Sequence, residues 1–133
     1  MSVPEAPKKP TLALSADSTS LDITWTAPVT DVANPILGYK VYIASKGGLW
    51  VSDPNNCNMY EEKATLKCSI KVTDLQTGTS FCHKYNTNWS ECLVPITMDA
   101  NSVTASVIAR NSEGDSARSE ASDYVEIPAH KVK

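Results

Sequence analysis

The chain has 133 residues, 41% hydrophobic and 20% charged, and a chain of this length suits one domain that buries about two thirds of its unfolded surface. The formal net charge is only -3 and both signs are interspersed, so no basic field exists to hold a phosphate backbone and nucleic acid is not an expected partner. The longest apolar runs, such as Leu93 to Ile96, fall far short of the ~18 residues that a membrane-spanning helix needs.

Residues 1–9 carry prolines at Pro4 and Pro7, with Pro10 next, and read as a proline-rich linker or a segment donated to a neighbour. They contain no apolar stretch and no cleavage site of the secretory kind, which is compatible with a leader that has been removed. From residue 10 to 128 the hydrophobic period is two almost throughout, which predicts strands. Leu12 and Leu14 alternate with polar neighbours. Leu21, Ile23 and Trp25 form the next inward row, and Pro28, which cannot donate to a ladder, ends it.

After the turn signals Asn34, Pro35 and Gly38, the residues Tyr39, Val41 and Ile43 make a third row. Leu66, Cys68, Ile70 and Val72 make a fourth. Val103, Ala105, Val107 and Ala109 alternate with Thr104, Ser106, Ile108 and Arg110, and the turn from Asn111 to Asp115 predicts a hairpin there. Val125 and Ile127 supply the last strand before Pro128, and residues 129–133 read as a tail. Sequential strands with frequent turn signals predict an antiparallel sandwich, its core drawn from Trp25, Tyr39, Val41, Ile70 and Val107.

The four cysteines, Cys57, Cys68, Cys82 and Cys92, have 10 and 9 residues between sequence neighbours. An even count suits an oxidised framework, and proximity pairs Cys57 with Cys68 and Cys82 with Cys92, although four cysteines allow three connectivities. Free buried thiols are the alternative. A metal site is disfavoured, because no tight C-x₂₋₄-C knuckle is present.

Catalysis has little to build on. His130 lies in the tail and His83 sits beside a cysteine, where a surface role outweighs that of a general base, and no nucleophile is paired with either. Asp53, Asn55, Asn56 and Asn58 lack the alternation and terminal Glu of a calcium loop, and read as a turn. No cofactor is expected. Asn88-Trp89-Ser90 is an N-glycosylation acceptor. Trp50, Tyr60, Tyr85 and Trp89 fall outside the core rows and are candidates for a binding surface or for a small satellite core.

Three phrases carry a family resemblance: Leu21 to Trp25, then Pro35-Ile36-Leu37-Gly38-Tyr39-Lys40-Val41-Tyr42, then Ala105 to Ser116 with its Asn111, Gly114 and Ser116. Their order and spacing resemble a fibronectin type III domain. The resemblance implies an all-β fold, an antiparallel seven-stranded Greek-key sandwich, with Trp25 between the sheets and no catalytic role.

The middle of the chain departs from that pattern and implies a disulfide-bearing insertion before strand F, at about residues 82–98. Cys57 and Cys68 resemble the cysteine pair in fibronectin-like repeats of large protist surface proteins, where the second cysteine opens strand E. A second reading makes Cys92 to Thr97 strand E, because its apolar spacing matches that of Cys68 to Thr73. Phe81 and Val103 are both candidates for the corner usually held by tyrosine.

The function expected from this reading is that of an extracellular, non-enzymatic structural module, a repeat or subunit joined end to end in a fibre, filament or surface array. Its expected partners are copies of itself or neighbouring repeats, with glycans as further candidates. The alternative is a cell-surface adhesion module that binds carbohydrate or protein.

Overall fold

A computed structural model describes residues 3–29, 34–46, 48–52, 66–77, 80–85, 92–97 and 101–128. Its described strands fall into three antiparallel sheets.

The first sheet joins β1 (Thr11–Leu14), β2 (Ser20–Thr24) and β4 (Lys67–Lys71) in the order β1-β2-β4. Leu12, Ile23 and Cys68 stand in one rung, and Leu14, Leu21 and Ile70 in the next. Alternation turns these side chains to one face, and Leu21, Ile23 and Ile70 are buried there. On the other face Asp22 accepts hydrogen bonds from Ser69 Oγ at 2.6 Å and Ser20 Oγ at 3.3 Å. The β1–β2 turn is organised by Ser15 Oγ, which accepts from the Thr19 and Ser20 N–H groups and donates to Asp17.

The second sheet is built on β3 (Gly38–Ser45) and β7 (Ser102–Asn111), paired over the whole length of β3. Tyr39 faces Ala109, Val41 faces Val107 and Ile43 faces Ala105. A large side chain therefore meets a small one at two of the three inward rungs, which lets the layer fill without voids. Trp25 crosses from the first sheet to meet Tyr39 edge-on, ring centroids 5.6 Å apart. Trp25, Tyr39, Val41, Ile70 and Val107 thus share one buried cluster.

Beyond β7 come β8 (Gly114–Asp115) and β9 (Val125–Glu126), both paired with it. Asn111 Oδ1 closes the β7–β8 turn by accepting from the Glu113 and Gly114 N–H groups. Gly114 has φ +138, a backbone conformation that favours glycine, and a Cβ there would lie 3.3 Å from a Val3 methyl.

Between β8 and β9 the chain keeps a period of three: Ser116, Ser119 and Ser122 are buried while the residues between them are exposed. Each serine N–H donates to a β7 carbonyl, those of Ala109, Val107 and Ala105 in turn. Each serine Oγ accepts the N–H of that same β7 residue at 2.9 Å. Hydroxyls thus replace the acceptors that a regular strand would supply, and they satisfy the buried donors of β7.

β4 leads into a short helix α1 (Val72–Thr77), whose Val72 and Leu75 close one end of the core. β5 (Ser80–Tyr85) and β6 (Cys92–Thr97) then pair with each other, with a bulge at His83. This hairpin continues the second sheet sideways: Val51 bridges to Ile43, and Ser52 exchanges two 2.9 Å backbone bonds with Cys82.

Several expectations change. The described strands number nine: β5 and β6 form an added hairpin, β8 and β9 are two short strands paired with β7, and the Val51–Ser52 segment forms isolated bridges. Leu66 leaves the inward row: it precedes β4, offers its carbonyl to the Trp25 N–H at 3.0 Å, and is 41% exposed. The strand beside β2 is β4 with Cys68, while Cys92 to Thr97 pair with β5. Residues 3–10 lie against the domain. Pro4, Pro7 and Pro10 are buried and the residues between them exposed, Val3 lies against Gly114, and Lys9 meets Asp123 at 2.8 Å.

Candidate functional site

Alternation in β3 and β7 turns Tyr39, Val41 and Val107 into the core and therefore sends Lys40, Tyr42, Ile108 and Arg110 to the opposite face. The period of three between β8 and β9 points its serines at β7 and leaves Arg118 exposed above that face. The Ile43–Val51 bridge sets Trp50 alongside. These segments surround a groove of about 530 Å³ lined by Tyr42, Gly48, Leu49, Trp50, His83, Ile108, Asp115, Ser116 and Arg118.

The Arg118 guanidinium carbon sits 5.0 Å from the Trp50 ring centroid and 5.9 Å from that of Tyr42. Lys40 Nζ lies 5.2 Å from the Tyr42 ring. Such stacking holds a cation by the negative face of the ring and limits its rotamers. Among the described residues, no carboxylate or carbonyl accepts a hydrogen bond from Arg118.

Lys40 is 6% exposed, and burial holds its pKa down at about 8, opposed by the nearby charge of Asp115. Burial raises the Asp115 carboxyl in turn, opposed by Arg110 and Lys40. The Arg110 Nε to Asp115 distance is 3.9 Å, a loose pair at the groove's end. His83 is half-buried, and the β5 bulge brings its Nδ1 within 2.9 Å of the Trp50 carbonyl oxygen. A carbonyl only accepts, so Nδ1 carries the proton.

Of the four aromatics expected to form a binding surface, Trp50 lines the groove. Tyr85 stands in β5 opposite Cys92, and Tyr60 and Trp89 lie outside the described residues, as does the acceptor Asn88. Cys82 is bonded to Cys92, with Cα atoms 5.8 Å apart. Cys68 is disulfide-bonded too, and its expected partner Cys57 lies outside the described residues. Asp53, Asn55, Asn56 and Asn58 lie there as well. No group of three His, Cys, Asp or Glu side chains among the described residues could hold a metal ion, and no described helix is long and apolar enough to cross a membrane.

Sequence reasoning did not single out Arg118, Tyr42 or Lys40 for this site. The usable signals were parity within β3, which fixes the face of Tyr42, and the Ser-x-x-Ser-x-x-Ser spacing that puts Arg118 outward.

The family model described as "Fibronectin type III domain" matches residues 5–83, more than half of the chain. The match ends inside β5. Among solved structures, domains A168-A170 from titin are 20% identical with a TM-score of 0.56, covering 94% of this chain and 32% of that one. The twitchin kinase region from C. elegans is 17% identical with a TM-score of 0.57, covering 98% and 18%. The chicken CNTN1 FN1-FN3 domains are 16% identical with a TM-score of 0.56, covering 94% and 33%. The chain spans a third or less of the length of each of these three structures.

Proposed function

The chain belongs to the fibronectin type III domain family, and from that premise we propose that it is an extracellular, non-enzymatic structural module joined end to end with copies of itself or neighbouring repeats in a fibre, filament or surface array. The family is generally non-enzymatic and commonly serves as a structural or adhesion module in multidomain proteins. In this reading the frame is the seven-stranded Greek-key sandwich, elaborated before strand F by an insertion that carries disulfides. Asn88 is its glycan acceptor.

The observation that carries the reading is the placement of the two ends. Val3 lies at Gly114, just past one end of β7, whereas the Ile127 N–H donates to the Asn101 carbonyl, just before the other end. β7 has ten residues, so the ends stand on the order of 30 Å apart at ~3.4 Å per residue. Modules with ends at opposite poles extend a string when joined. Docking of residues 3–10 on their own domain favours this linkage over donation of that segment to a neighbour's sheet edge.

Electron microscopy of the purified protein tests it. Ordered strings or filaments are expected, and a population of dispersed single particles at all concentrations would refute it. A second reading, that of an adhesion module binding protein or carbohydrate, is favoured by one feature, the groove around Arg118.

A further inference from the structure

We propose that the groove on the outer face of β3 and β7 captures a carboxylate side chain of an acidic, extended peptide through the Arg118 guanidinium. The inference rests on the second reading above and is independent of end-to-end assembly.

The argument starts from what the arginine lacks. A guanidinium presents five N–H donors in a planar fork that matches a carboxylate with two parallel hydrogen bonds. Here the Trp50 and Tyr42 rings hold the group in place, yet among the described residues none of its donors is used. Pre-ordering the fork on rigid rings reduces the rotamer entropy lost when a ligand binds.

The surrounding charge has the right sign. Lys40 Nζ is a second cation, 5.2 Å from the centroid of the Tyr42 ring. The acidic member of the groove, Asp115, has two cations near it, Arg110 with its Nε at 3.9 Å and Lys40. The apolar part of the lining comes from Ile108, which is buried, and Leu49, which is 55% exposed, beside the polar Ser116 and His83. A volume of about 530 Å³ lies within the roughly 300–1,000 Å³ range of ligand sites and takes a few residues of peptide.

A neutral sugar fits less well, because stacking on sugars needs an open aromatic face. The Trp50 ring carries Arg118, and the Tyr42 ring carries Arg118 and Lys40. What the groove offers is a hydrogen-bonding edge of positive charge beside an apolar wall. An acidic side chain flanked by aliphatic residues complements both.

The test is a heteronuclear NMR titration of the full chain with a capped tetraglutamate peptide, its tetraglutamine counterpart and an oligosaccharide of uronic acids. Expected are saturable shifts at the Arg118 Nε–H and the Leu49 and His83 amides with tetraglutamate, weakening with added salt. Tetraglutamine should give none. Arg118→Gln, and also Arg118→Lys, which keeps the charge and loses the fork, should each weaken binding by about tenfold or more. Leu49→Asp leaves Arg118 in place and should weaken binding by repulsion, which separates the claim from any folding defect.

Equal binding of the two peptides overturns the proposal. Binding of the uronic-acid oligosaccharide without the peptide overturns the peptide assignment and leaves the binding-module reading standing. No saturable shift with any of the three overturns both.

Discussion

Replacing Ser119 by alanine isolates the hydroxyl ladder that joins the segment between β8 and β9 to the core strand β7. Ser119 is 7% exposed; its Oγ accepts the Val107 N–H at 2.9 Å and donates to the Glu120 carbonyl at 3.0 Å. The Val107 carbonyl, on the same strand edge, is taken by the Ser119 N–H, which survives the substitution. Alanine therefore leaves one buried backbone donor without an acceptor, and the Val107 side chain is fully buried, so water has poor access. The cost of such a donor is about 1–3 kcal/mol, with little offset, since alanine fills the space of serine except for the oxygen. For a chain of this size that corresponds to a melting temperature lower by roughly 4–12 °C. Urea unfolding with the disulfides intact reads it directly as a lower midpoint at constant slope. Thr24→Val in β2, whose exposed hydroxyl makes a long 3.5 Å bond to the Thr11 carbonyl, is the control and should move stability by less than about 0.5 kcal/mol. If Ser119→Ala behaves like that control, the ladder does not hold the edge strand, and hydroxyls are not what satisfies the buried donors of β7.

Cys82→Ser together with Cys92→Ser opens a loop of sequence separation 10, which on the chain-entropy model costs about 2.7 kcal/mol; chemical denaturation should show that loss, and non-reducing peptide mapping of the parent chain should recover a Cys82–Cys92 fragment. For Lys40 the folded pKa of about 8 lies below the unfolded value of ~10.4, so between these limits the unfolded chain binds more protons and stability rises as pH increases from about 8 to about 10.4. Lys40→Met should raise stability at neutral pH, by on the order of 1 kcal/mol after allowance for solvent screening, and should flatten that rise. Unfolding curves across this pH range check both, and an unchanged slope in the variant would assign the rise to other groups.

Much of the fold was legible because its cause is local. Leu21, Ile23 and Trp25, and likewise Tyr39, Val41 and Ile43, face one way simply because neighbouring strand residues face opposite ways. The turn at Asn111 to Gly114 was legible for the same kind of reason, since an Asn side chain bonds backbone two and three residues on. Strand pairing was less so. Cys68 to Thr73 and Cys92 to Thr97 share an apolar spacing, and the former lies beside β2 through a ladder between distant segments, with Leu21, Ile23 and Ile70 buried on one face and Ser69 Oγ bonded to Asp22 across 47 residues on the other. Leu66 fits the alternation and still falls outside, because the ladder begins one residue later.

The candidate site was the least legible part. Trp50 stood out as an aromatic beyond the core rows, but its partners Tyr42, His83 and Arg118 come from β3, β5 and the segment between β8 and β9. Each has an ordinary local setting, and nothing in the residues beside Arg118 shows that two rings lie beneath it.

By itself, the order of residues determined the two-faced strands, the turns between them and the family they belong to, since alternation and turn chemistry act over a few bonds. Tertiary structure alone decided that the proline-rich start folds back on its own domain, that three serines complete the bonding of β7, and that an arginine is stacked on two distant rings. These depend on which strand lies beside which, and that choice is made by contacts between segments far apart in the chain.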